Sequence, residues 1–225
     1  MPTVDCIIST YNRASHFLPR AVLSVQNQTH TDWLLTIADD CSTDRTRLVA
    51  EAFRQEDPRV QYVCTPKNSG FQSVPKNLAI RATSAPMIAY LDDDNEWTPD
   101  HLAELVATLQ KHHADLVYGA REFVNDPVHP HPKPMLLGDK MYWNLPQIMT
   151  WVPQLLGAMN WVDTSDMLHT RALLKRIGGW NESARQGADW DLIRRVASAG
   201  ATVVNVPKVL TKYYWHSAGH KGVGG

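Results

Sequence analysis

Cysteine is scarce: Cys6, Cys41 and Cys64 are the only three in 225 residues. Their wide spacing and odd number fit neither a disulfide framework nor a zinc knuckle, so free thiols are expected. No apolar run reaches the roughly 18 residues that a bilayer-spanning helix needs. The opening MPTVDCIIST has neither the basic start nor the apolar core of a secretory signal. A cytoplasmic protein is expected, with room for peripheral membrane contact. Charge of one sign does not dominate either, with 22 basic against 23 acidic residues and a net charge of −1. That balance, without a long basic run, argues against nucleic-acid binding as the main role.

Composition itself is ordinary, at 44% hydrophobic and 20% charged, as for a folded soluble domain. The length suits a single domain over residues 1–225 with a real core. Along its first half, VDCIIST (4–10), WLLTIAD (33–39), VQYVCT (60–65) and MIAYLD (87–92) read as strands. Between them lie the helical stretches SHFLPRAVLSVQNQ, STDRTRLVAEAFRQ and SVPKNLAIRAT. In the first, Phe17, Leu18, Ala21, Val22 and Val25 share one face; in the second, Thr43 or Asp44 caps a helix pointing Leu48, Val49, Ala52 and Phe53 inward. Residues 98–113 form a further helix, with Thr98 as cap and Pro99 at its first position, and 115–124 a fifth strand.

Strand alternating with helix implies an α/β fold with a mostly parallel sheet, because parallel neighbours need crossover connections. Ligands of such sheets gather beyond the carboxyl ends of the strands. There the sequence is polar: TYNR after the first strand, DDCSTD after the second, PKNSG after the third and DDDNE after the fourth. Residues 125–160 break the pattern with a Pro/Trp-rich loop and a short helix at 139–150. Trp143 and Trp151 read as packing residues, and Trp143, Trp151 and Trp161 as candidate sugar-stacking surfaces on an acceptor side. A helix at 170–176, a turn IGGWNES, a helix at 188–199, a strand ATVVNV and an aromatic run KYYWH complete the chain, and the terminal GHKGVGG is expected to be mobile. His112, His113, His129 and His131 lack partners at metal-ligand spacing and read as surface groups.

YLDDDNEW concentrates Asp92, Asp93, Asp94 and Glu96 after a buried strand. Carboxylates so placed suit a hard divalent cation that keeps open positions for phosphate oxygens; a solvated acidic turn and a capping patch are the plainer readings. Several phosphate chemistries are excluded. There is no GxxxxGK[ST], no GxGxxG after the first strand, no DxDx[TV] there, and no glycine at all in STYNRASH.

Taken together, CIISTYNRASHFLPRAVLSVQNQTHTDWLLTIADDCSTDRT, PKNSGFQSVPKNLAIRATSAPMIAYLDDDNEWTPDHL and IGGWNESARQGADWDLIRRVASAG resemble a family 2 glycosyltransferase. The likeness runs over about 3–125 and again over 160–216. It implies an inverting GT-A fold: a single Rossmann-like domain with a mostly parallel central sheet flanked by helices. Residues 1–124 would be the nucleotide-sugar-binding half and 125–225 the acceptor-binding half.

The resemblance also implies roles. Ser9, Thr10, Tyr11 and Asn12 would line the nucleotide base, and Asp40 would accept its imide N–H, favouring a UDP-sugar, with Asp39 as support. Lys76 stands where many relatives have arginine; it keeps the charge but not the planar fork. Asp92 and Asp94 frame a DxD motif, with Asp93 on a ribose hydroxyl and Asp94 on Mn2+ or Mg2+ bridging the donor phosphates. His216, in preference to His220, would approach that metal. Asp189 would be the catalytic base, preceded by Ala188 where relatives have glutamate, and Asp191 a supporting group. The implied activity is metal-dependent transfer of a sugar to an unknown acceptor, a saccharide, lipid-linked or other small molecule. A catalytically silent nucleotide-sugar-binding module and a sugar-phosphate nucleotidyltransferase remain as alternatives.

Overall fold

The structure is a computed structural model that describes residues 3–130, 151–157, 160–184 and 186–217. The predicted helix at 139–150, Trp143, His131, His220 and the terminal GHKGVGG lie outside the described residues. One eight-stranded sheet organises the rest, in the order β3-β2-β1-β4-β7-β6-β8-β5. Strands β1 (Val4–Thr10), β2 (Trp33–Asp39), β3 (Val60–Cys64) and β4 (Met87–Asp92) run parallel, as the alternating pattern predicts. β6 (Leu116–Asn125) is parallel to β8 (Val203–Trp215), whereas β7 (Met167–Thr170) runs antiparallel to both β4 and β6.

Helices α1 (Phe17–Gln26), α2 (Thr46–Glu56), α3 (Ser73–Ala82), α4 (His101–His112), α5 (Arg171–Ile177) and α6 (Ala188–Ser198) cover the sheet. They divide the core into two apolar clusters. One holds Leu18, Val22, Leu35, Leu91 and Leu105, the other Ile88, Tyr90, Leu173, Leu192 and Ile193. The α1 face is buried as its spacing predicts.

In α2 the inward face is displaced. Thr46 and Ala50 are buried with Val49 and Phe53 against the core, while Leu48 is 69% exposed and Ala52 is also outside. Asp44 sets this phase, since its Oδ1 accepts from both the Thr46 N–H (2.8 Å) and the Thr46 hydroxyl (2.5 Å) and starts the helix at Thr46. α4 begins after Asp100 rather than at Thr98. The Thr98 N–H and hydroxyl are drawn instead to Leu210 O (3.0 and 3.3 Å), because β5 (Glu96–Trp97) pairs with β8.

Short β5 and β7 carry too few residues to show a period. Likewise, ATVVNV and KYYWH are parts of one strand, β8, continuous through Pro207. β8 passes close over β6 at Gly119, where a Cβ would come within 2.9 Å of Leu210 Cδ1, so a side chain there would push the strands apart.

Both ends of the polypeptide's long-range order rest on ion pairs. Arg171 donates to Ala85 O (2.7 Å), Ile80 O (2.9 Å), Thr83 Oγ1 (3.0 Å) and the buried Asp5 Oδ2. Arg20 ties α1 to the far edge through Asp126 Oδ2 (2.7 Å) and Asp94 O (2.6 Å), its guanidinium 3.5 Å above the Tyr214 ring.

Candidate active site

A cleft of about 330 Å³ opens at the carboxyl ends of β1 and β4. Among its lining residues are Ser9, Thr10, Tyr11, Asp40, Asp92, Asp93, Asp94 and Asp189, brought together from four separate segments. Asn12, Lys76 and His216 are close by but outside the lining. Asn12 adopts a left-handed conformation (φ 55°), and its Oδ1 accepts from the Thr43 N–H at 2.8 Å, stapling the loop after β1 to the loop after β2.

Each carboxylate on the wall has its own setting. Asp39 accepts from Ser42 and from Tyr62 OH (2.7 Å), facing away from the cleft as a strut. Asp40 is held by Thr65 Oγ1 (2.9 Å) and by the N–H groups of Ser69 and Gly70 (3.0 and 3.2 Å), which fixes its orientation at the cleft edge.

The acidic loop is bolted from below. Asn95 donates to Ser165 Oγ (3.1 Å) and accepts from the Tyr214 N–H (3.1 Å). Glu96, the fourth acid of the run, is spent on Lys212 (2.9 Å) and Tyr214 OH (2.8 Å). Among the described residues, lysine and arginine reach the remaining three at longer range: Lys76 Nζ is 3.5 Å from Asp92 Oδ1, and Arg13 lies 3.6 Å from Asp93 and 3.9 Å from Asp94. Burial, foremost, pushes Asp92 and Asp93 up to about 7, with neighbouring aspartates adding to it and Lys76 or Arg13 opposing it. His216 Nε2 sits 3.1 Å from Asp94 Oδ2, its ring packed on Phe17 with centroids 4.8 Å apart.

Lys76 is fully buried beneath the floor, donating to Gln72 Oε1 (2.7 Å) and lying 4.6 Å from the centroid of the Trp180 ring. Asn77 next to it brackets the backbone of Trp180 from both sides (2.9 and 3.1 Å), holding the IGGWNES turn against α3.

Also lining the cleft, Asp189 lies in the first turn of α6, after Gly187 takes the left-handed φ of 63° that turns the chain into the helix. Burial raises its carboxyl above the ordinary range and Asp163 adds to that, while the Trp190 N–H and Lys76 act the other way. Asp191 points elsewhere, onto Arg195 at 2.7 Å. Behind the turn a second groove of about 470 Å³ shares Ala184, Gln186 and Gly187 with the cleft and runs along Trp190, Arg194 and Ser198.

Four further residues contribute, Arg13 at the end of TYNR and Tyr213 within KYYWH among them. Arg13 and Tyr213 line the cleft, as does Asp163, whose Oδ1 accepts from the Ser165 N–H at 3.0 Å. Asn160 Nδ2 donates to Asp189 Oδ2 at 2.8 Å. The capping pattern DTSD marks Asp163 as a turn former only. Trp161, a candidate stacking surface by sequence, is instead a core residue whose indole N–H reaches Tyr118 OH at 3.3 Å, and Trp151 packs beside it with ring centroids 6.1 Å apart. His129 is half-buried against Phe17 rather than a free surface group.

A parallel β3-β2-β1-β4 unit, extended by an antiparallel strand and ending in an acidic cleft, is the GT-A arrangement of nucleotide-sugar-dependent glycosyltransferases. The chain belongs to this class by sequence as well: the model of the family Glycosyl transferase family 2 matches residues 5–172, and the chain is a member of that family.

Among curated relatives, the putative colanic acid biosynthesis glycosyl transferase WcaA of Escherichia coli is 35% identical over 125 residues, 56% of this chain and 43% of that one. The chain thus spans under half of that relative's length. Staphylococcus aureus TarS 1–349 in complex with UDP-GlcNAc superposes with a TM-score of 0.76 at 18% identity, covering 97% of this chain and 60% of that one. The mannosyltransferase PcManGT of Pyrobaculum calidifontis in complex with GDP-Man and Mn2+ does so with a TM-score of 0.73 at 19% identity, covering 99% and 59%. At such identities the likeness carries the fold. No helix among the described residues is long and apolar enough to cross a membrane.

Proposed function

We propose that the chain transfers a sugar from a UDP-sugar to a hydroxyl acceptor, with inversion at the anomeric carbon and with Mn2+ or Mg2+. The observation that carries this reading is the single cleft whose lining brings Asp92, Asp93 and Asp94 together with Asp189. The two structural neighbours are bound to UDP-GlcNAc and to GDP-Man with Mn2+, which supports a nucleotide-sugar without choosing its base. The choice of uracil rests on Asp40, an acceptor for an imide N–H, beside Thr10 and Tyr11. Asp93 takes the ribose hydroxyl, and the buried Lys76 contributes charge through Asp92 rather than by touching the donor.

The cation fits the residues present. Among the described residues no three His, Cys, Asp or Glu form a ready-made cage, but Asp94 and His216 offer an oxygen and a nitrogen 3.1 Å apart, and Asp92 Oδ1 is buried without a hydrogen-bond partner. A site of so few protein ligands suits a cation that completes its shell with phosphate oxygens. Bound there, it would neutralise the charge that develops on the leaving diphosphate.

Asp189 supplies the proton chemistry. It removes the proton of the acceptor hydroxyl as that oxygen bonds to the anomeric carbon and the bond to the diphosphate breaks. A single in-line displacement inverts the configuration. The groove along Trp190, Arg194 and Ser198 opens beside Asp189's helix and gives the acceptor its approach. Residues 1–124 thereby serve the donor and 125–225 the acceptor, with Arg13 steadying Asp93 and Asp94 between them.

Calorimetric titration of UDP, dTDP, GDP and CDP, with Mn2+ and again with chelator, on wild type and Asp94→Ala, tests the reading. Metal-dependent binding of UDP that is lost in the variant is expected; no nucleotide binding under either condition would overturn it.

A further inference from the structure

Asn160 sits where the chain returns to the described core, two residues before the fully buried Val162. Its side-chain amide makes a complete local set of bonds. Oδ1 accepts from the Val162 N–H at 3.2 Å, Nδ2 donates to Val162 O at 3.0 Å, and the second Nδ2 proton goes to Asp189 Oδ2 at 2.8 Å. All three contacts agree on one orientation. Flipping the amide would set its oxygen against Asp189 and Val162 O, and its N–H groups against the Val162 N–H. The amide is therefore clamped to a rigid backbone segment, and through it the carboxylate of a different element is held in place.

We infer that Asn160 is the positioning residue for Asp189, locking the carboxylate's rotamer and favouring its ionised form. This rests on the reading of Asp189 as the base, and it adds how that base is held ready. Among the described residues, the other charges that face Asp189 leave the need in place. Asp163 opposes ionisation, burial opposes it more, and Lys76 favours it only from beneath the floor. The N–H groups at the start of α6 help, yet they lie on Asp189's own helix and cannot fix that helix relative to the segment ending at Asp166. Asn160 spans that gap. A base whose oxygen is held in this way presents its remaining lone pairs to one direction, as an acceptor hydroxyl requires.

Carboxyl-carbon NMR of 13C-aspartate-labelled full-length protein tests the inference without any substrate. The Asp189 signal is assigned by its loss in Asp189→Asn and followed from pH 3 to 9 in wild type, Asn160→Ala and the near-isosteric Asn160→Asp. Losing one donor to the charged form is expected to weaken Asp189's ionisation about tenfold in Asn160→Ala, and the added negative charge to weaken it further in Asn160→Asp. Unchanged titration in both variants would overturn the inference, as would a fold loss in Asn160→Ala with normal titration in a folded Asn160→Asp.

Turnover of UDP-glucose with Mn2+, with water as the acceptor, separates this from the reading beneath it. If Asp189→Asn keeps full turnover, the base assignment fails, whatever Asn160 does to the titration. If Asp189→Asn is inactive while Asn160→Ala keeps both its rate and its pH profile, only the role of Asn160 fails.

Discussion

At the start of β1, Asp5 meets Arg171, whose guanidinium also satisfies three surrounding acceptors on Ile80, Thr83 and Ala85. At the far end of the neighbouring β4, Asp92, Asp93 and Asp94 crowd together, with the lysine and arginine nitrogens among the described residues no nearer than 3.5 Å and His216 Nε2 3.1 Å from Asp94. Both groups are buried carboxylates at the termini of parallel strands. The first is closed by a planar fork that joins three segments, as a structural pair must be to offset the loss of hydration. The second keeps its described lysine and arginine at longer range, and a cation with its phosphates can add charge there. Burial of acidic groups is thus no guide to function by itself; whether a close guanidinium closes the group is.

The sharpest way to break the comparison is to change one group at each end and see which property fails. Asp189→Asn should lower turnover by about 10²–10⁴-fold, the span of a general base, while thermal unfolding and UDP binding stay near wild type. In wild type the acidic limb of the rate profile should lie above the ordinary carboxylate range, because burial raises Asp189 and the base is lost as pH falls through its pKa. An unfolding loss in that variant, with turnover kept, would put Asp189 with the structural group.

Arg171→Met should do the reverse. It leaves Asp5 buried without its cation, which costs about 3–5 kcal/mol in urea unfolding, with nucleotide affinity unchanged in the fraction that remains folded.

A smaller effect sharpens the structural side. His169 at β7 and His101 on α4 are held neutral by burial, at about 4 and about 3 against an ordinary 6.5. Below 6.5 the unfolded chain takes up protons that these two folded imidazoles refuse, so their share of stability should fall from pH 6.5 toward 4, while the raised carboxyls of Asp92 and Asp93 work the other way. Each imidazole should contribute about 0.7 kcal/mol between pH 7 and 6. A urea-midpoint gap between wild type and His169→Gln that stays constant across that range would mean the His169 ring is accessible to protons.

Smallest of all, Leu48→Ser should shift stability by no more than about 0.5 kcal/mol, since Leu48 is 69% exposed. A core-sized loss would restore the helical face expected from periodicity.

Much of the first half was legible because each strand is a buried parallel element. Its largely apolar residues are followed directly by the polar loop that reaches the cleft, so local order and site order coincide. Gathering Asp40, Asp92 and Asp94 on one edge needs only that their strands run parallel, which sets the carboxyl ends side by side. α2 misled because one capping side chain, Asp44, shifts the helix start and rotates which residues face the sheet. β5 and β7 were invisible because two and four residues carry no period, and their conformation comes wholly from β8, β4 and β6.

The sequence by itself therefore determined the parallel α/β half, the acidic run after its fourth strand and an aspartate at the head of a late helix, since each is written in contiguous residues. Only the tertiary structure decided that Glu96 belongs to Lys212 and Tyr214 while Asp94 faces His216, that Lys76 lies under the floor, and that Asn160 reaches Asp189. Those pairings join residues from 29 to 122 positions apart. No local pattern encodes such distances, because they depend on how antiparallel β7 and the long β8 fold the second half back across the first.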